Sequence, residues 1–125
     1  MDEEISQPPA VVLAAERGLR DAAQRRALDR HLPEMRQLER LLADAPDGVK
    51  LAVQAHVAVR GQDLPIYRVE LGSGDPQAPA MLVVGGVHGL ERIGTQVVLA
   101  FLRSLFERLR WDEALQARLA QVHLI

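Results

Sequence analysis

His88 and Glu91 are the side chains whose types and spacing carry the most chemistry, in the run Val84-Gly85-Gly86-Val87-His88-Gly89-Leu90-Glu91-Arg92-Ile93-Gly94. On a turn that opens a helix, residues three apart face the same side. An imidazole and a carboxylate placed there can reach one cation, and both are good zinc ligands at roughly 2.0–2.2 Å. The apolar run 80–84 before the motif reads as a buried strand. Open α/β sheets place their ligands at the carboxyl ends of such strands. Gly85, Gly86 and Gly89 permit a sharp turn and a close backbone approach. Gly94, one turn into the following helix, is expected to let helix and sheet pack closely.

The spacing alone is a weak signal, and the chain contains its own control. His31-Leu32-Pro33-Glu34 also sets histidine and glutamate three apart. It follows no buried strand, carries no glycine and has a proline inside it, so His31 reads as a solvated surface residue. His56 falls on the polar side of a strand and reads the same way. His123 stands at the start of another strand and reads as structural; the alternative is that it approaches the metal.

The elements that must position the motif follow from periodicity. Residues 1–9 are acidic and then proline-rich, and read as a disordered start. Good helix formers fill 10–30, interrupted by Gly18 and closed by Pro33. A second helix is expected over 34–43, with Met35, Leu38, Leu41 and Leu42 at helical spacing. Ala45-Pro46-Asp47-Gly48 is a turn. The period then drops to two: Val49, Leu51, Val53, Ala55, Val57 and Val59 alternate with polar residues in a half-buried strand. A short turn at 60–63 leads to a second strand over 64–71, with Ile66 and Val69 inward, giving an antiparallel hairpin. Continuous apolarity over 80–84 predicts a strand covered on both faces. Ile93, Val97, Val98, Phe101, Leu102, Leu105 and Leu109 then form one helical stripe. Asp112 is a candidate N-cap for a short helix over 113–120, and 121–125 reads as the start of a further strand. A buried strand, a long amphipathic helix and another strand make a βαβ unit. The predicted fold class is α/β with a mixed sheet.

Composition narrows the chemistry further. The 125 residues contain no cysteine, which excludes thiolate metal sites, disulfides and a cysteine nucleophile. Any metal site must therefore be built from imidazole and carboxylate. Net charge is -2 and aromatics are 3%, so neither nucleic acid nor an anionic membrane is an expected partner. No apolar run approaches the ~20 residues that span a bilayer. The acidic start is unlike a signal peptide, and a cytoplasmic chain is expected.

With these residues in place, the stretch from Lys50 through His88-Gly89-Leu90-Glu91 to Arg110 resembles the zinc carboxypeptidase family. The glycine pair before His88, and Ile93-Gly94 after Glu91, are most like its bacterial carboxypeptidase-like branch. Aspartoacylase and succinylglutamate desuccinylase share the same histidine–glutamate pair. The resemblance implies that His88 and Glu91 are the first two ligands of one Zn2+ ion. It places the third ligand (a histidine), a general-base glutamate and the substrate-binding arginines well downstream. It also implies that the strand after the motif helix lies between the hairpin and the motif strand.

The expectation is thus a helical segment over 1–45, followed over 46–125 by the N-terminal half of a zinc carboxypeptidase-like domain with an incomplete mixed sheet and flanking helices. Such a truncated chain is expected to bind zinc weakly, to lack peptidase activity and to carry an unpaired strand edge with marginal stability. The completed enzyme would release C-terminal residues from peptides. Two alternatives stand beside this: a zinc deacylase acting on N-acyl amino acids, and a non-catalytic module whose helices over 10–45 bind a partner.

Overall fold

A computed structural model describes residues 22–89 and 91–125. The expected disordered start, the first part of the helix expected over 10–30, and Leu90 of the motif lie outside the described residues. Helix α1 (Ala22–His31) and helix α2 (Pro33–Ala43) meet at Leu32, where the backbone leaves helical geometry. Pro33 occupies the first position of α2, where its missing N–H costs nothing.

Strands β1 (Lys50–Val59) and β2 (Gln62–Gly72) form the antiparallel hairpin. Arg60 and Gly61 form its two-residue loop, both with positive φ (49° and 75°), the type I′ geometry that matches strand twist. The register shifts between Val53 and Ala55, leaving Gln54 as an extra residue in a bulge.

Beyond the bulge the alternation predicted from the sequence no longer tracks burial. Val57, Val59 and Ile66 are exposed, Ile66 by 50%. Both core clusters draw on the opposite end of the hairpin, so its tip projects past the helices that cover the base. Ile66 is therefore not inward as its sequence position predicts. Val69 does pack inward, touching both clusters.

Strand β3 (Ala80–Met81) leads into the motif, and helix α3 (Arg92–Leu109) follows it. Helix α4 (Glu113–Leu119) and strand β4 (His123–Leu124) complete the described elements. The four strands form one mixed sheet in the order β1-β2-β4-β3. β4 runs antiparallel to β2 and parallel to β3, so it lies between the hairpin and the motif strand. This is an α/β fold with an open sheet, and β3 is an edge strand among the described residues.

The expected strand over 80–84 is shorter and less covered than its apolarity predicts. Its ladder partner β4 is only two residues long, although Val83 N–H still donates to Ile125 O at 2.9 Å. Val83 packs into the core, while Met81, Leu82 and Val84 remain exposed, Leu82 by 67%. Only one face of this segment is covered among the described residues.

Among the described residues, two adjoining clusters form the centre of the core. Leu42 of α2, Leu51 of β1, and Leu102 and Phe106 of α3 form the first. Leu71 of β2, Leu105 of α3 and Leu124 of β4 form the second, with Val49 and Val69 touching both. The stripe that α3 buries is Leu99, Leu102, Leu105 and Phe106. Ile93, Val97 and Phe101 lie on the expected stripe but are exposed, because the sheet covers only the later turns of the helix. Among the described residues no helix is long and apolar enough to cross a membrane.

Candidate metal centre

The motif begins where the chain leaves the carboxyl end of β3. At Gly85 the backbone passes so close to α3 that an added Cβ would stand 3.2 Å from Val98 Cβ. Gly86 then turns with φ +79°, a conformation that disfavours other residues. Gly94 does not have the packing role expected of it: a Cβ there would meet open space.

His88 and Glu91 close a single turn. The Glu91 N–H donates to His88 O at 3.0 Å, which draws the two residues together. Glu91 is the N-cap of α3, yet its side chain makes no capping hydrogen bond. Both residues are exposed, and neither side chain has a hydrogen bond or ion pair among the described residues. An imidazole and a carboxylate are therefore both uncommitted at the carboxyl end of a parallel strand. Their chemistry fits zinc, but they are only two donors. No group of three or more His, Cys, Asp or Glu able to hold a metal occurs among the described residues.

Two of the other histidines have carboxylate partners elsewhere. His123 Nε2 lies 3.2 Å from Glu70 Oε2, across the β2–β4 junction, and its strand position pairs with Ala80 at the start of β3. That end is opposite the one from which the motif emerges. His56 Nδ1 lies 2.8 Å from Asp63 Oδ2 on the solvated tip of the hairpin. The ring of His31 is exposed.

Glu34, the partner of His31 in the second histidine–glutamate pair, is buried. It is only 6% exposed. Gln96 Nε2 donates to Glu34 Oε1 at 3.2 Å, and Arg92 Nε approaches the same oxygen at 3.7 Å. Arg92 Nη2 also donates to His31 O at 2.9 Å. Sequence reading missed this group because its members are about sixty residues apart and carry no local pattern.

Residues 35–125 match the model of a family described as zinc carboxypeptidase. No curated protein and no solved structure matches the chain.

Proposed function

This chain belongs to the zinc carboxypeptidase family, and we propose that it is a metallocarboxypeptidase-like hydrolase in which His88 and Glu91 are two ligands of one zinc ion. The observation that carries this reading is the hydrogen-bonded 88–91 turn, with both side chains uncommitted, at the end of β3 inside the matched region. A bound zinc ion supplies Lewis acidity, polarising a carbonyl and lowering the pKa of a water.

The chain's own residues contribute placement. Gly85 and Gly86 let the backbone turn off the sheet beside Val98, and the His88–Glu91 backbone bond holds two donors of the right type together. The substrate class implied by the resemblance is a peptide with a free C-terminus. The third ligand, the base and the carboxylate-binding arginines of the family pattern are assigned to none of the described residues.

Zinc titration calorimetry tests the ligand assignment. The unmodified chain is expected to bind Zn2+ more weakly than a three-ligand site. His88→Ala and Glu91→Gln should each weaken binding by about tenfold or more. No zinc binding, or binding that ignores both substitutions, would overturn it.

A further inference from the structure

We infer that the elbow between α1 and α2 is a clamp on the 88–91 turn, with Glu34 and Arg92 as positioning residues for the metal site. The inference rests on the zinc-ligand reading for its functional meaning, but the clamp itself stands on separate contacts.

Arg92 directly follows Glu91 and is the first residue of α3. Its guanidinium is held at two points by the elbow, the carbonyl of His31 at 2.9 Å and the carboxylate of Glu34 at 3.7 Å. Gln96, one turn further on, donates to the same carboxylate. The His31 carbonyl is available because it ends a helix, and the Met35 N–H that would reach it in a continuous helix donates instead to Leu32 O at 3.1 Å. Glu34 is nearly removed from water, and a buried carboxylate is costly unless donors or cations face it. Here two side chains from the opening of α3 face it.

Among the described residues, few other contacts hold the first turn of α3. Its N-cap makes no side-chain bond, Ile93 is 75% exposed, and the buried stripe begins only at Leu99. The first turn of the helix, and with it the orientation of Glu91, therefore depends on the clamp. The pairing has an electrostatic consequence too. Arg92 stands beside a proposed cation site, and a carboxylate partner offsets the repulsion it would otherwise exert there.

Proton-exchange NMR on the full chain reads the clamp directly, through the Glu91 amide that closes the turn. Arg92→Ala and Glu34→Ala should speed exchange of that amide by about tenfold while Val69 and Leu105 amides keep their rates. Arg92→Lys, which preserves a cation for Glu34, should restore at least part of the protection. Unchanged Glu91 exchange in Arg92→Ala overturns the clamp. So does uniform acceleration of all amides, the mark of general destabilisation. If the Glu91 amide responds as expected but the unmodified chain binds no zinc, the clamp stands and the ligand reading falls. If zinc binds through His88 and Glu91 with an affinity and a Glu91 exchange rate indifferent to Arg92→Ala, the clamp falls and the ligand reading stands.

Discussion

The Tyr67 hydroxyl on β2 donates to the Glu39 carboxylate on α2 at 3.0 Å, and Glu39 is fully buried. The bond ties the second helix to the hairpin beside the Leu42–Phe106 cluster. Tyr67→Phe withdraws one donor from a buried carboxylate while keeping the ring. It should lower stability by about 1–3 kcal/mol, read as a lower urea midpoint with an unchanged slope. A midpoint equal to that of the unmodified chain would show that other contacts alone satisfy Glu39.

Two glycines of the motif region should respond in opposite directions. A Cβ on Gly85 would crowd Val98 at 3.2–3.3 Å, so Gly85→Ala must push the exit of β3 away from α3. It should cost about 1 kcal/mol or more. A Cβ on Gly94 meets nothing within 4 Å, inside a helix. Gly94→Ala should stabilise by roughly 0.5–1 kcal/mol through helix propensity. Melting temperatures of the two variants decide this, and equal shifts would contradict the close approach at Gly85.

Asp112 caps α4. Its Oδ1 accepts from Leu115 N–H at 3.0 Å, and Arg108 donates to Oδ2. The backbone hydrogen bond from Leu115, followed by the bond from Arg108, holds its pKa below the ordinary carboxylate value. A carboxyl whose pKa is lower folded than unfolded stabilises the fold when ionised. That contribution is complete above the ordinary value and is lost as pH falls through the lowered one. The melting-temperature deficit of Asp112→Ala should therefore be largest at neutral pH and shrink in strong acid. Asp112→Asn, which keeps an acceptor oxygen, should lose less at neutral pH.

What the sequence makes legible here is what is local. Period-two alternation locates β1, and Pro33, Gly48 and Asp112 mark breaks that the structure reproduces. The position of β4 between β2 and β3 followed from the family resemblance, since no pattern within the chain encodes strand order. The bulge at Gln54 left no trace, because one extra residue in an alternating strand looks like ordinary variation. For the candidate site, His88 and Glu91 stand out through glycine-rich surroundings. Glu34 and Arg92 do not, because their link exists only once α2 lies beside α3. The same limit explains α3. Its apolar residues fill a band wider than one contact face, and periodicity cannot say which side of the band meets the sheet.

That ambiguity gives a direct test of which side is buried. Phe106 is 1% exposed and packs with Leu42, Leu51 and Leu102, whereas Val97 is 59% exposed. Phe106→Ala should cost about 3–5 kcal/mol, the range for truncating a buried aromatic. Val97→Glu should change stability by no more than about 0.5 kcal/mol, since it removes no described contact in either core cluster. It should also reduce concentration-dependent light scattering. Val97 shares an exposed apolar surface with Ile93 and Phe101 on the same helix, and such patches promote self-association. Urea unfolding and scattering on the same two variants separate the outcomes. A large loss of stability in Val97→Glu would mean that the Ile93, Val97 and Phe101 part of the expected stripe also faces the core.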